Sequence, residues 1–234
     1  RYLSNRHREA HGAEYILRFS ARSDGQSRSR RGVLPVVDRR HTLFTWTAQE
    51  GIDPFPIAGG RGAWFWSAAG RRVLDMASVV ASANAGHNHP GIIERMKRQL
   101  DVLAVAGPAM STAIRDEAGR ALAKVTPKGL DRFLFTLGGA DANEHAVKMA
   151  MLVTGRQKVV ARVRSYHGAT FGALSFSDDP RALPFRQSLP EVIRVNDPYC
   201  FRCPWETTPD RCDRPCAQAV EDGLLSAIPS TVAA

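Results

Sequence analysis

The sequence predicts an α/β fold in which helices pack on a parallel sheet. Two short apolar runs, residues 133–136 and 158–164, lie on either side of a helical stretch, and the connections between them are short. Strand, helix and strand in this order favour parallel pairing through a right-handed crossover. In such sheets, ligands bind at the carboxyl ends of the strands.

The elements before this unit follow from turn residues and apolar spacing. Residues 63–66 and 72–76 predict two strands of a hairpin around a glycine-containing turn. Pro90 occupies the first position of a predicted helix whose apolar residues recur at helical spacing (Ile93, Met96, Leu100, Leu103). A second helix is predicted over residues 111–125, ending before Pro127.

The strand at 133–136 is followed by a glycine turn and a helix. Gly138 and Gly139 interrupt the apolar run, and the helix that follows ends near Gly155, with a predicted apolar face of Ala142, Ala146, Met149, Ala150 and Val153. The free N–H groups of such a helix start attract an anion, and glycine lets a phosphate approach the backbone. Asp141 would compete with a phosphate unless its side chain points away. A purely structural turn is the alternative.

Tyr166 and His167 leave the strand at 158–164, at the same predicted sheet edge as the glycine turn. An aromatic ring beside a phosphate site suggests a planar heterocycle that carries a phosphate. The alternative is that Tyr166 fills core and His167 is a hydrogen-bonded loop residue.

Composition and charge narrow the class of protein. The 234 residues are 44% hydrophobic and 24% charged. We recognise neither an apolar run long enough to span a bilayer nor the pattern of a signal peptide. We therefore predict a cytoplasmic protein with reduced cysteines. Residues 1–40 hold ten arginines against four acidic residues, which is +6 of the net +9. This segment is predicted to be a disordered extension rather than a nucleic-acid-binding arm or a mitochondrial transit peptide.

All four cysteines lie within residues 200–216, with the spacing C-x2-C-x8-C-x3-C. Paired cysteines on turns are able to supply the four ligands of a zinc site, although the gap between these pairs is short. A zinc site and a surface loop are both compatible with this spacing.

Three stretches, taken in order, resemble the class III (omega) aminotransferases, which are pyridoxal-phosphate enzymes of fold type I: LDMASVVASANAGHNHPGI, FTLGGADANEHAVKMA and TGRQKVVARVRSYHGATFGALSFSDD. The resemblance runs from about Val36 to the last residue. Three further stretches look closest to taurine–pyruvate and related omega-amino acid:pyruvate members: HTLFTWTAQ, PFPIAGGRGAWFW and PYCFRCPW.

The resemblance implies an architecture and an assembly. Residues 106–234 would be the first part of a three-layer α/β/α large domain that binds pyridoxal 5'-phosphate. Residues 36–105 would be an N-terminal segment of the small domain with a linking helix, and residues 1–35 an extension. Relatives are homodimers, and residues 74–90 would lie near the partner's cofactor.

The resemblance also implies roles for individual residues. Many relatives have serine where this chain has Gly138. The phosphate would be bound by Gly138, Gly139 and Ala140. The pyridine ring would stack on Tyr166, and His167 and Gly168 would shape the adjoining loop. Trp46 would face the substrate.

The resemblance leaves the catalytic lysine unassigned. None of the five lysines fits the family's lysine motif, so the Schiff-base lysine is expected beyond the last residue, and the 234-residue chain is expected to be inactive as an N-terminal fragment. Relatives of the pyruvate-dependent branch carry a similar cysteine-containing loop without metal chemistry, which favours a surface loop and no metal. The predicted function is transfer of an amino group from an omega-amino acid or amine to pyruvate or another keto acid. The alternative is a non-catalytic zinc- or nucleic-acid-binding protein that uses residues 200–216 and the basic N-terminus.

Overall fold

The computed structural model describes residues 41–185 and 191–234, so the predicted extension 1–35 lies outside the described residues. The described residues divide into two compact units, one ending at Arg132 and the other formed by Phe133–Ala234. The division into domains at residues 36–105 and 106–234 stays a prediction.

The unit that ends at Arg132 contains an antiparallel sheet followed by two helices. Its strands are β1 (Ile57–Arg61), β2 (Trp64–Ser67) and β3 (Arg72–Leu74), in the order β1-β2-β3. The predicted hairpin is confirmed as β2 and β3, with Phe65 opposite Val73. Sequence analysis missed β1, a glycine-rich strand that pairs with β2.

Two helices complete this unit: α1 (Pro90–Val102) and α2 (Ala113–Ala123). Pro90 is the first residue of α1, as predicted, because proline lacks the N–H that a first helical residue leaves unpaired. A hydrogen bond of 2.8 Å between His87 Nε2 and Asp75 Oδ2 ties the segment before α1 to the end of β3. A single left-handed turn occupies Ser78–Ala81.

The second unit alternates helices with parallel strands. Its elements are α3 (Gly139–Thr154), β4 (Val159–Arg162), α4 (Phe171–Phe176), β5 (Val192–Val195) and α5 (Pro215–Ser226), with 3-10 turns at Pro180–Phe185, Cys200–Arg202, Pro209–Arg211 and Pro229–Thr231. β4 and β5 are parallel, with Val160 opposite Ile193. On the other edge of β4, a parallel bridge joins Lys158 to Val232, and the N–H of Val160 donates to the carbonyl of Ala234 at 2.7 Å.

One predicted strand is wrong. Residues 133–136 have no strand conformation, and Leu134 and Phe135 are exposed. A strand is held by ladder hydrogen bonds to a neighbour, and within residues 41–185 and 191–234 no strand pairs with this segment. The parallel partner of β4 is therefore β5 and not residues 133–136.

The core of the second unit lies between α3, β4 and α4. Val159, Ala161, Ala173 and Phe176 are buried, and α3 packs Ala140, Val147 and Met151 against them. The predicted apolar face of α3 is wrong: Met149 and Val153 are 48% and 87% exposed, and Ala142 and Ala146 are exposed as well. The face that packs is rotated from the predicted one and contains two polar residues, Asn143 and Glu144.

Across the described ranges, every helix is too short or too polar to cross a bilayer.

Candidate cofactor site

The glycine turn leads directly into α3. Gly138 is the N-terminal capping residue, in an extended conformation with φ −165° and ψ 168°, and as a glycine it has no side chain to cap the helix. The first helical hydrogen bond runs from the N–H of Ala142 to the carbonyl of Gly138 at 3.0 Å. The N–H groups of Gly139, Ala140 and Asp141 therefore precede the helical ladder, which is the arrangement that binds an anion at a helix start.

The space around this helix start suits a phosphate. A Cβ atom built on Gly138 or on Gly139 would meet no protein atom within 4 Å. Asp141, which would repel a phosphate, lies with its Oδ1 3.4 Å from Nε2 of His145, one turn further along the helix. The carboxylate is thus directed along α3 and away from the glycines, so the residues present fit the phosphate group that the resemblance implies.

Gly168 holds the aromatic loop against the start of α3. Its φ of +136° disfavours any residue with a side chain, and a Cβ on Gly168 would lie 2.4 Å from Cβ and 2.6 Å from Cα of Ala140. Two backbone segments far apart in sequence therefore touch here. The contact brings residues 166–168 next to residues 138–140, as the sequence analysis predicted, although residues 133–136 do not form the strand on which the predicted sheet edge depended.

Two consecutive residues of α3 form hydrogen bonds with the loop that joins β4 to α4, residues 163–170, and with the start of α4. Asn143 Nδ2 donates to the carbonyl of His167 at 2.7 Å. Oε1 of Glu144 accepts from the hydroxyl of Thr170 and from the N–H groups of Gly172 and Ala173, at 3.1 and 3.4 Å for the latter two. Glu144 thus satisfies N–H groups at the start of α4.

Sequence analysis did not assign these roles to Asn143 and Glu144. The available signal was their spacing, because Ala140, Asn143, Glu144, Val147 and Met151 follow the i, i+3, i+4, i+7, i+11 pattern of one helix face. This pattern is hard to recognise from sequence, because polar residues seldom mark a packed face.

Tyr166 lies at the open side of the loop, with 46% of its surface exposed. The guanidinium carbon of Arg181 lies 4.4 Å from the centroid of the Tyr166 ring. Arg181 is itself fixed by an ion pair with Asp179, whose Oδ1 accepts from Nε of Arg181 at 2.7 Å. The ring is therefore held by a cation on one face and is accessible enough to receive a planar ligand.

His167 is packed on the inner side of the same loop. Its ring lies 5.3 Å from that of Phe176, and its backbone N–H donates to Oγ of Ser177 at 2.9 Å. Nε2 is buried and has no hydrogen-bond partner within the part of the chain that the structure describes. Burial, with a smaller contribution from the positive charge of Arg162, lowers the pKa of His167, so the imidazole is neutral at neutral pH.

Two other sequence predictions fall outside this cluster. Trp46 is half-buried in a turn of the unit that ends at Arg132, and its assignment to the substrate pocket stays a prediction. The four cysteines are free thiols. Among residues 41–185 and 191–234, no group of three or more His, Cys, Asp or Glu side chains is arranged to hold one metal ion.

Comparison with known proteins supports the resemblance. Residues 47–234 match the family model of class-III aminotransferases. A [LysW]-aminoadipate semialdehyde/glutamate semialdehyde transaminase of Sulfolobus acidocaldarius is 38% identical over 119 residues, which are 51% of this chain and 31% of that protein. A probable 4-aminobutyrate aminotransferase of Bacillus subtilis is 32% identical over 179 residues, which are 74% of this chain and 41% of that protein.

The fold comparison agrees. The crystal structure of taurine:2-oxoglutarate aminotransferase from Bifidobacterium kashiwanohense, in complex with pyridoxal phosphate and glutamate, superposes with a TM-score of 0.73 at 31% identity, covering 82% of this chain and 44% of that one. The matched part of the chain thus covers 31% to 44% of the length of these relatives, and the chain has part of the fold of the fold type I transferases. Because the family model covers most of the chain, the protein belongs to the class-III aminotransferase family.

Proposed function

We propose that the protein is an aminotransferase that uses pyridoxal phosphate to move an amino group from an omega-amino acid or other amine to pyruvate or another keto acid. The observation that carries this proposal is the contact of Gly168 with Ala140, which joins an open helix start to an aromatic loop. Family membership favours this enzyme over the alternative of a non-catalytic zinc- or nucleic-acid-binding protein.

In this proposal the chain's residues bind and orient the cofactor. The N–H groups at residues 139–141 hold the phosphate, and the glycines at 138 and 139 leave room for it. Tyr166, with Arg181 on its ring, provides a stacking surface for the pyridine ring. The bound cofactor supplies the electron sink that aminotransfer needs.

Hydrogen bonds from α3 to the loop that carries Tyr166 keep the proposed phosphate contact and the proposed stacking surface at a fixed separation. Asn143 holds the carbonyl of His167, and Glu144 holds the loop where it enters α4. His167 is neutral and makes its ring contact with Phe176 inside the loop, so it adds no positive charge beside the phosphate site. Trp46 is proposed to contact the substrate.

Binding of pyridoxamine 5'-phosphate to the 234-residue chain, measured by isothermal titration calorimetry, tests the site without requiring turnover. We expect saturable binding that is at least about tenfold tighter than that of pyridoxamine, because the charge-assisted phosphate contacts are lost with the phosphate. Equal affinity for the two ligands would contradict the phosphate assignment. The inactivity of this chain alone stays a prediction.

The acceptor and donor classes need a separate assay in the whole protein. We expect transfer from taurine or another omega-amino acid to pyruvate, followed as loss of the keto acid. The Bifidobacterium neighbour uses 2-oxoglutarate by its name, so the same assay with 2-oxoglutarate decides between the two acceptors. Absence of transfer from every amine to both keto acids would reject the proposed function.

We also propose a cytoplasmic homodimer in which residues 74–90 approach the partner's cofactor. This segment exposes apolar side chains, among them Met76 at 86% and Val80 at 90%. Such exposure is typical of surfaces that bury on association. Sedimentation of the whole protein is expected to give a dimer, and a stable monomer at micromolar concentration would count against it.

A further inference from the structure

The cysteine-rich segment 200–216 folds so that all four thiols line one small cavity. Cys200 begins the 3-10 turn Cys200–Arg202 and Cys203 directly follows it, Cys212 directly follows the 3-10 turn Pro209–Arg211, and Cys216 lies at the start of α5. Much of the remaining lining comes from Tyr199, Trp205 and Thr207. Cys203, Cys212 and Cys216 are half-buried, whereas Cys200 is exposed. Four oxidisable thiols therefore share one cavity that solvent reaches.

Within this cavity Cys203 has the most hydrogen-bond donors. Thr207 Oγ1 lies 3.5 Å from its Sγ, and the backbone N–H groups of Trp205, Glu206 and Thr207 also face the sulfur. These donors, led by the Thr207 hydroxyl, lower the pKa of Cys203 below that of an ordinary thiol. Because the thiolate is the nucleophile of thiol chemistry, Cys203 is the most reactive candidate.

A second thiol is available to react with the first. Sγ of Cys212 accepts a hydrogen bond from the N–H of Arg214 at 3.3 Å, so this sulfur is also held in the loop. Cys216 lies at the start of α5 and lines the same cavity. Cys203, Cys212 and Cys216 are therefore three half-buried thiols that line one cavity, which makes Cys212 and Cys216 the candidate partners of Cys203.

We propose that segment 200–216 is a thiol–disulfide exchange site in which Cys203 reacts with a small-molecule disulfide and then pairs with Cys212 or Cys216. In the first step the Cys203 thiolate attacks one sulfur of oxidised glutathione, the S–S bond of glutathione breaks, and one glutathione leaves and takes up a proton. In the second step the other thiol loses its proton and attacks Sγ of Cys203, which expels the second glutathione. Two protein thiols are oxidised to one disulfide, and one oxidised glutathione is reduced to two thiols.

The sequence allows a direct map of the product. Trypsin cleaves after Arg202 and Arg211 but not between Arg214 and Pro215, so Cys200, Cys203 and the pair Cys212/Cys216 fall in three separate peptides. The reduced 234-residue chain is incubated with oxidised glutathione at pH 7, free thiols are counted, and the digest is analysed without reduction. We expect loss of two of the four thiols and a cross-link between the peptides 203–211 and 212–234.

Four variants separate this proposal from unspecific oxidation. Cys203→Ser should slow thiol loss at least about tenfold, since the remaining thiols lack the same set of donors. Thr207→Val keeps all four thiols and should slow the reaction several-fold. Thr208 lines the same cavity, but its side chain hydrogen-bonds to Asp210, so Thr208→Val should react like the parent. Cys200→Ser should also react like the parent. Far-UV circular dichroism checks that each variant folds.

Several results would overturn the proposal. One is that Cys203→Ser, or Thr207→Val if the first variant does not fold, oxidises as fast as the parent. Others are a stable mixed disulfide with glutathione, a cross-link from Cys203 to Cys200, or four thiols that stay reduced. Stoichiometric zinc in the purified protein, lost on replacing Cys203, would equally reject it in favour of a metal site.

Discussion

The two units of the chain differ in how they hold their functional residues. All eight buried hydrophobic residues of the described chain lie between residues 159 and 227, in the unit formed by Phe133–Ala234. The unit that ends at Arg132 has a well-paired antiparallel sheet. Among its described residues, 41–132, the one that is buried is Ser67, and many of the large apolar side chains are exposed. Hydrogen-bonded strands alone therefore do not make a core.

This difference shows why the residues proposed to bind the cofactor are held by more contacts than Trp46. Residues 138–140 and 166–168 lie against a core made by α3, β4 and α4, and side chains from α3 fix the loop between them. Trp46 lies in a turn of the unit without such a core. Residues that lie on a packed core are held more firmly than residues of a turn without one.

Gly168→Ala is expected to cause the largest loss of stability and to show how differently the two units respond to a glycine replacement. The new Cβ would collide with backbone and side chain of Ala140, so β4 should lose about 3 kcal/mol or more of protection in hydrogen–deuterium exchange. Gly86→Ala is the matched change in the other unit, where φ is +85° and the Cβ would lie 3.1 Å from Cα of Gly62.

In the Gly86 variant we expect a smaller loss, about 1 to 2 kcal/mol in β2, because no buried apolar core resists the adjustment. A third variant, Gly155→Ala, introduces a similar backbone strain at φ +68° with no neighbour within 4 Å, and it should also cost about 1 to 2 kcal/mol. Equal losses in all three variants would break the comparison between the units.

Gly139→Val is expected to abolish cofactor binding while leaving the fold intact. A side chain there enters open space at the helix start, so affinity for pyridoxamine 5'-phosphate should fall at least about thirtyfold through loss of charge-assisted contacts. Tyr166→Ala should reduce affinity only about fivefold, since stacking contributes about 1 kcal/mol. Calorimetry measures both, and Arg120→Ala in the other unit serves as the control that binds like the parent.

A Gly139 variant that is folded and binds the ligand as tightly as the parent would show that the turn is only structural. The reverse order, with Tyr166→Ala weaker than Gly139→Val, would place the main binding energy in ring stacking and not in the helix start.

Replacing Glu144 compares the stability contributed by this carboxylate with that contributed by a surface carboxylate of the other unit. Glu144→Ala removes the acceptor of three donors and should destabilise the second unit by about 1 to 3 kcal/mol. Glu144→Gln keeps an acceptor oxygen and should recover about half of this loss. Glu117, which pairs with Arg95 on the surface of the other unit, is the control, and Glu117→Ala should cost less than about 1 kcal/mol.

Urea unfolding followed by circular dichroism measures these differences in the free energy of unfolding. If Glu117→Ala destabilises the chain as much as Glu144→Ala, then Glu144 is not fixing the loop. If Glu144→Gln is no better than Glu144→Ala, its role depends on charge and not on accepting hydrogen bonds.

The smallest expected effect is the pH dependence that His167 adds to the second unit. Its pKa is lowered by burial, so between that value and the unfolded value of about 6.5 the unfolded chain binds more protons. Stability from this group is therefore fully present above about pH 6.5 and is lost as the pH falls through the folded pKa. The His167→Gln variant should show a shallower loss between pH 7 and pH 5, and an identical pH profile would contradict the lowered pKa.

The sequence by itself determined the local features of this protein. Pro90 begins a helix, Gly155 ends one with a left-handed residue, and the glycines at 138 and 139 start α3, because each of these depends on the backbone freedom of one or two residues. The three motifs that resemble class III aminotransferases are local in the same sense. They were sufficient to predict that residues 166–168 lie beside residues 138–140, and the cofactor roles of these residues stay a prediction.

Only the tertiary structure decided which neighbours these elements meet. The apolar pattern of residues 133–136 predicted a strand, but a strand requires a ladder partner, and none of the described strands provides one. The pattern of α3 predicted a wholly apolar packed face, whereas the helix turns Asn143 and Glu144 inward, because hydrogen bonds to residues 167–173 satisfy them there. The periodicity of a sequence shows how apolar a helix face is. It does not show the hydrogen-bond partners that allow polar side chains on such a face to be buried, because these partners come from distant parts of the chain.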